Sequence, residues 1–449
     1  MHPHCECIWP HSILGMGVRF LEVIGVGETG VRARTVVVLG GGAAGMIAAW
    51  RAASLGHAVT MLEANGRLGV KLRISGGGKC NVTHEGSAKE LLAVFAKEQA
   101  RFLRPAFHAF GSGEIRDLLQ REGVETYVRE NGRVFPKDSP GSAGEVVAAM
   151  QRVLERAGVQ VRTGARVAGL VGVAPRLEAL TLEDGSWVRG DVFILAAGGA
   201  SYPETGTRGE VLEALRNLGV VVNPWFPALA PVPLVAPRPE WEGVALRDGS
   251  LQLHAGAGGK RLATFAGDVV FTRSGISGPA ALELSQEVER ARRGGSAWLS
   301  YALSPLNEEL LDAQLQQLQQ GNPHLAVRTW LQRLLPERLC AFAHAELALP
   351  PDQRMKDLPR AARRSLVAWV RAFPLGEPRA VPLSKGEVAA GGVRLDGIDP
   401  RTMAVKGWEN LRVCGELLDI DGPIGGYNLQ AAFSTGFLAG QVGPSSAFS

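Results

Sequence analysis

The run TVVVLGGGAAGMIAAWRAASLGHAVTMLEA, beginning at residue 35, constrains the fold of this chain more than any other feature. A short β-branched run leads into a glycine turn, an alanine-rich helical stretch follows, and a second apolar run closes at Glu63. Strand, helix and strand at this spacing form a βαβ unit with parallel strands. Its glycines fall at Gly40, Gly42 and Gly45. In that pattern the first makes a tight turn, the second lets the backbone approach a pyrophosphate, and the third lets the helix pack closely on the strand. The N–H groups that open the helix, at Ala43 and Ala44, then face the phosphates. Glu63, followed by Ala64, stands where a carboxylate accepts hydrogen bonds from both ribose hydroxyls, and an acid there disfavours a 2′-phosphate.

Gly25, Gly27 and Gly30 repeat the spacing, but only four residues separate Gly30 from residue 35, too few for a phosphate-holding helix. Residues 1–34 are therefore expected to be a disordered or mis-started N-terminal extension. With 449 residues, the chain has room for about three domains, or two with one built from separated segments. A hydrophobic fraction of 46% against 20% charged residues supplies real cores and excludes global disorder. The net charge of +4 is too small to argue by itself for a nucleic-acid partner. Cys5, Cys7, Cys80, Cys340 and Cys414 are odd in number and scattered, so neither a disulfide framework nor a metal site is read, and a cytoplasmic setting is expected. The uncharged run at 35–50 is broken by glycines and shorter than the roughly 18–20 apolar residues that cross a bilayer, so no membrane partner is expected.

A nicotinamide dehydrogenase would continue with further βα units. Residues 66–83 instead read GRLGVKLRISGGGKCNVT, a glycine-dense loop suited to running along an extended ligand. Near the other end, residues 411–430 read LRVCGELLDIDGPIGGYNLQ, a buried strand, an acidic turn, a Gly-Gly turn and the start of a helix. Carboxylates at a strand end suit the hydroxyls of a ribityl chain, and a helix N-terminus beside a flavin pyrimidine stabilises the charge that develops on reduction. These runs closely resemble the motifs of the BaiN-like bacterial flavoproteins, also described as aminoacetone-oxidase-family FAD-binding enzymes. The resemblance spans about 35–440 and takes in LAAGGASYPETG from residue 195, FTRSGISGP from 271 and AAGGV from 389.

The resemblance implies bound FAD. Gly40, Gly42, Ala43, Ala44, Gly45, Glu63 and Ala64 would hold the ADP half, Arg67 and Lys71 would lie by the phosphates, and Arg166 and Val167 would pass the adenine. Gly415, Glu416 and Asp419 would serve the ribityl end. Gly426, Tyr427, Asn428 and Leu429 would approach the isoalloxazine, and Gly77, Gly78, Ala197 and Gly198 are further cofactor contacts. Three positions depart from the family pattern: Lys79 replaces arginine, His84 replaces asparagine, and Arg273 stands where a histidine is common. An arginine exchanges no proton near neutral pH, so any acid–base role of that histidine is lost here.

The fold expected is α/β, a Rossmann-type FAD-binding domain of the glutathione-reductase kind, built from 35–205 and 376–449. An inserted β-barrel over 206–306, with closing strands extending as far as 375, and a helical subdomain over 307–375 complete it. Ser277 reads as the N-cap of a helix beginning at Pro279. Residues 354–371 hold six cations, Arg354, Lys356, Arg360, Arg363, Arg364 and Arg371, which read either as a solvated helix face or as an RNA contact. Cys80, Asn81, Tyr202 and Arg273 are the candidate catalytic residues, with a packing role open for Cys80. Three functions follow. One is reduction of an activated C=C bond in a small molecule, with NAD(P)H as transient electron donor because no second dinucleotide unit is present. Another is reduction of uridine in rRNA, and the third is flavin binding without turnover.

Overall fold

The computed structural model describes residues 33–137 and 142–443. The N-terminal extension, with its decoy glycines, Cys5 and Cys7, lies outside the described residues, apart from its last two positions.

Five parallel strands form the central sheet, in the order Leu411–Val413, Val192–Leu195, Thr35–Leu39, Ala58–Glu63 and Gln160–Thr163. Continuous apolar runs such as Val36–Leu39 and Val192–Leu195 are buried because helices cover a parallel sheet on both faces. The C-terminal strand Leu411–Val413 pairs with Val192–Leu195, so two distant segments of the chain complete one Rossmann sheet. Helix Ala43–Ser54 lies against the last helix, Tyr427–Gly440, at backbone distance. A Cβ on Gly436 would sit 2.3 Å from the Ala44 carbonyl oxygen, and one on Gly440 would sit 2.4 Å from that of Ala48.

Strands Val222–Ala228 and Val388–Val393 pair antiparallel, so the chain leaves the FAD-binding part and returns to it side by side. Between them, within the span read as an inserted barrel, lie two four-stranded antiparallel sheets. They are joined along one edge, where Val235 donates to Glu377 and Arg379 to Pro233 through the backbone. Helices Glu308–Gly321, Val327–Leu331, Glu337–Glu346 and Arg360–Arg371 share a single core with these sheets, in which Leu315, Trp330 and Val370 pack in one cluster with Phe271, Tyr301 and Phe373. That core continues to Leu375 and Val381. The helix expected at Pro279 runs from Pro279 to Arg293, but its N-cap is Gly278 at φ 90°. Ser277 instead ends a strand, because the backbone reverses one residue later than the capping pattern implies.

Glu289, on this helix, anchors the returning chain. Its buried carboxylate accepts hydrogen bonds from Arg292 at 2.8 Å, Arg293 at 2.7 Å and the Val381 amide at 3.0 Å. Burial pushes the carboxyl up, but the bonds from Arg292, Val381 and Arg293 outweigh it and hold the group at about 2. A depressed folded-state value stabilises the fold above the ordinary 4.5 and is lost as pH falls through about 2. Acid unfolding monitored by circular dichroism is expected to need lower pH in the parent than in Glu289→Gln, and coincident curves would remove this role. Gly436→Ala is expected to cost about 1–3 kcal/mol by overpacking the two-helix contact, read as a lowered Tm. An unchanged Tm would show that the helices separate without penalty.

Candidate functional site

The fingerprint glycines have three different surroundings. Gly40 adopts φ +102°, and a Cβ there would lie 2.3 Å from the Ala196 carbonyl oxygen. A Cβ on Gly45 would lie 1.8 Å from the Gly40 carbonyl oxygen, so the helix closes directly onto the turn. At Gly42 the same position is open space, and this residue lines a cavity of about 780 Å³. Packing thus demands glycine at Gly40 and Gly45, whereas Gly42 leaves bare backbone toward the cavity.

At one end of the cavity Glu63 Oε2 accepts a 2.7 Å hydrogen bond from the Gly41 amide. Its Oε1 accepts from Asn65 N at 2.8 Å and Asn65 Nδ2 at 2.7 Å. Ala64, Val167 and Arg166 line the same cavity, and Arg166 donates to the Gly206 carbonyl at 2.9 Å while pairing with Glu210 at 3.2 Å. Midway, Lys71 and Glu416 form a 2.6 Å ion pair, and Lys71 also donates to Ser201 Oγ at 2.6 Å. Glu416 accepts from the Ala389 amide at 3.0 Å, which ties the C-terminal acidic turn to the returning strand. Ala197, Gly198 and Gly415 line this stretch.

The other end is made by the 75–81 loop and the N-terminus of the last helix. Gly77, Asn81, Gly426, Asn428 and Leu429 all line it, together with Ile74, Phe135, Leu229, Ile420 and Ile424. Asn428 holds the acidic turn closed, accepting from the Gly422 amide at 2.7 Å and donating to the Gly422 carbonyl at 2.8 Å. Tyr202 also lines the cavity, its phenol raised by burial and by the charges of Glu387 and Glu204.

Several expected residues lie elsewhere. Gly45 and Gly78 do not line the cavity, and Arg67 is exposed outside it. Asp419 faces away: its carboxylate accepts from Asn223 Nδ2 at 2.6 Å and the Gly391 amide at 3.1 Å, which makes it a strut between strands. The Tyr427 ring stacks on His84 with centroids 4.7 Å apart and does not line the cavity. Cys80 is fully buried at φ 54° with its thiol pushed up to about 12 by desolvation, so its surroundings are those of a packed core group. Arg273 is exposed in the turn between strands Val269–Thr272 and Gly275–Ser277, away from the cavity.

None of the six cations of 354–371 lines the cavity. Three are engaged within the protein: Arg363 pairs with Asp312 at 2.7 Å, Arg354 donates to the His324 carbonyl, and Arg371 to that of Leu306. Conversely, sequence reasoning missed Asn65, Arg129, Arg133 and Glu387, all of which line the cavity. Only Glu387 had a signal, its place two residues before the AAGGV run.

The family described as HI0933-like protein Rossmann domain matches residues 34–442. The chain belongs to this family. Among curated relatives of this HI0933-like chain, the 3-dehydro-bile acid delta(4,6)-reductase of Clostridium scindens is 28% identical over 90% of this chain and 98% of its own length. The ribosomal RNA dihydrouridine synthase of Escherichia coli is 26% identical over 90% of this chain and 96% of its own. In fold, the chain resembles 3-ketosteroid delta1-dehydrogenase from Sterolibacterium denitrificans, solved in complex with 1,4-androstadiene-3,17-dione, with a TM-score of 0.51 at 13% identity, covering 91% of this chain and 98% of that one. FAD is the cofactor that the sequence resemblance implies for this family. The cavity suits that cofactor: the turn at Gly42 is open to it, and the buried Asn81 Oδ1 that borders it has no hydrogen-bond partner among the described residues. Among the described residues no helix is long and apolar enough to cross a membrane, and no cluster could hold a metal ion.

Glu63→Ala is expected to weaken FAD retention about tenfold or more, as loss of a hydrogen bond to a charged group implies. The flavin-to-protein absorbance ratio after gel filtration measures this, and an unchanged ratio would remove Glu63 from the ribose site.

Proposed function

We propose that the protein uses NAD(P)H to reduce an activated C=C bond in a small molecule. One observation carries this reading: the cavity that begins at the dinucleotide turn ends in an apolar chamber open to solvent, bordered by Ile74, which is 46% exposed. A flavin held only for structure would not need such an opening. When bound, FAD supplies a two-electron carrier able to pass hydride between donor and acceptor.

The remaining work falls to the chain. Glu63, the Gly41–Ala44 turn and Lys71 hold the ADP half, while Glu416 serves the ribityl chain. Gly426, Asn428, Leu429 and the unpaired Asn81 Oδ1 position the isoalloxazine. Leu229, Phe135, Ile424 and Val388 exclude water from the chamber beside it and hold an apolar acceptor by burial. Tyr202, which lines the cavity and keeps its hydroxyl proton across neutral pH, would donate that proton to an acceptor carbonyl or carbon.

The relatives named as ribosomal RNA dihydrouridine synthases favour a second reading, reduction of uridine within RNA. It uses the same chemistry on another acceptor. The placement of the 354–371 cations away from the cavity argues against RNA reaching the flavin along that helix.

Anaerobic titration of the FAD-loaded protein with NADH and, separately, NADPH is expected to bleach the flavin band with one of them. Bleaching by neither would overturn the nicotinamide donor. Reoxidation by a 3-oxo-enone steroid but not by uridine-containing RNA supports the first reading, and the reverse result supports the second.

A further inference from the structure

Lys79, Arg129 and Arg133 border the flavin cavity, and no carboxylate forms an ion pair with any of them among the described residues. Arg133 lies on the strand Arg133–Pro136, Arg129 precedes the turn that leads into it, and Lys79 follows the glycine loop at 75–78. Chain contacts place all three at the isoalloxazine end. Phe135 abuts Gly76 beside Asn81, and the positive field of Arg133 reaches Tyr427 at the start of the last helix. The pyrophosphate turn at 40–45 and Glu63 form the opposite end, so these cations are not those that face the cofactor phosphates.

Their surroundings keep them available. The Arg129 guanidinium lies 4.0 Å from the centroid of the Phe135 ring, and its Nε and Nη2 reach Tyr127 Oη at 3.4 and 3.3 Å. It is therefore ordered by a ring and a neutral hydroxyl, with its charge uncompensated. Glu283 and Glu387 are the carboxyls that Arg133 influences, and it ion-pairs with neither. Desolvation raises both, against the opposing field of Arg133. Glu283 is committed elsewhere, accepting from the Ile424 amide at 2.7 Å. Lys79 and Arg129 are exposed and Arg133 is half-buried, so each is hydrated, and three like charges gathered at one rim attract an anion from solution.

We propose that Arg133, Arg129 and Lys79 form an oxyanion clamp that docks a phosphate or carboxylate of the small molecule visiting the flavin. The inference rests on the cavity being the site of electron exchange, as proposed above. The same chemistry serves the phosphates of a nicotinamide dinucleotide or the carboxylate of an amphipathic acceptor, whose apolar body then lies along Phe135, Leu229 and Ile424. A planar guanidinium at Arg133 and a stacked one at Arg129 suit bidentate recognition of such groups, with Lys79 as a point charge.

The test uses FAD-loaded parent protein, Arg133→Gln, Arg129→Gln, Lys79→Gln and the triple variant. Dissociation constants are read from perturbation of the flavin spectrum. The probes are NAD+ and NADP+, which cannot reduce the flavin, inorganic pyrophosphate, a 3-oxo bile acid, its methyl ester and a short uridine-containing RNA. The clamp predicts about tenfold weaker binding of one anionic small molecule in Arg133→Gln, more in the triple variant, with loss of salt dependence and unchanged binding of the ester. Weakening confined to NAD+ or NADP+ with pyrophosphate identifies the dinucleotide donor as the source, and weakening confined to the acid identifies the acceptor. Small-molecule constants within twofold across all variants overturn the proposal, as does weakening confined to RNA or to FAD retention itself. Binding is measured without turnover, so a failure of the NAD(P)H reading leaves this result interpretable.

Discussion

The structure depends on backbone meeting backbone without side chains between. Helix Ala43–Ser54 is pressed onto the turn it follows through Gly45 and against the last helix through Gly436 and Gly440. The first contact fixes where the helix N-terminus points, and the others fix where the C-terminal segment lies relative to it. Because the last helix begins at the far end of the cavity, its seating sets the distance between the pyrophosphate turn and the Gly426–Leu429 wall. A Cβ at any of these three glycines would move one end of the cavity against the other.

The Lys71–Glu416 pair adds a polar link across the same span. Lys71 belongs to the short helix Val70–Ile74 that follows the strand Ala58–Glu63, and Glu416 to the acidic turn near the C-terminus. Both side chains are partly exposed, at 30% and 18%, so Coulomb attraction alone contributes little. Their value is positional: Ser201 and the Ala389 amide join them, bringing four distant segments to one point beneath the cavity. A ligand seated here meets a charge pattern already oriented, with no ordering cost left for these groups.

Legibility in the sequence followed from how local each feature was. The βαβ unit was readable because strand, turn, helix and acid follow one another, and the parallel sheet built from two segments follows from the resemblance at each end. Asp419 and Tyr427 were misplaced because a motif fixes neighbours along the chain but not which way each side chain turns. Asp419 turns toward Asn223 and Gly391, and Tyr427 toward His84, partners on elements far away in sequence. Cys80 was ambiguous for the same reason, since only the packed structure shows its thiol sealed from the cavity. Arg129 and Arg133 carried no signal: Arg129 follows the short strand Thr126–Val128 and Arg133 opens the short strand Arg133–Pro136, and only the pairing of the second strand with both the first and Thr83–His84 brings them to the rim.

The two ends of the cavity are built from different materials. The end at the Gly40–Gly45 turn is chiefly main chain, with glycine turns, helix amides and one carboxylate, so it survives extensive substitution provided the backbone keeps its path. Elsewhere the cavity is walled by side chains from at least four segments, including Phe135, Tyr202, Leu229, Glu387 and Ile424. Relatives at 28% and 26% identity bear the names of enzymes for a bile acid and for ribosomal RNA, while matching nearly the whole chain. That combination is what a shared main-chain cradle with a replaceable side-chain wall would produce. Specificity in this chain therefore has to be sought among the wall residues, and its uncompensated rim cations are the part of that wall whose chemistry most narrows what can dock.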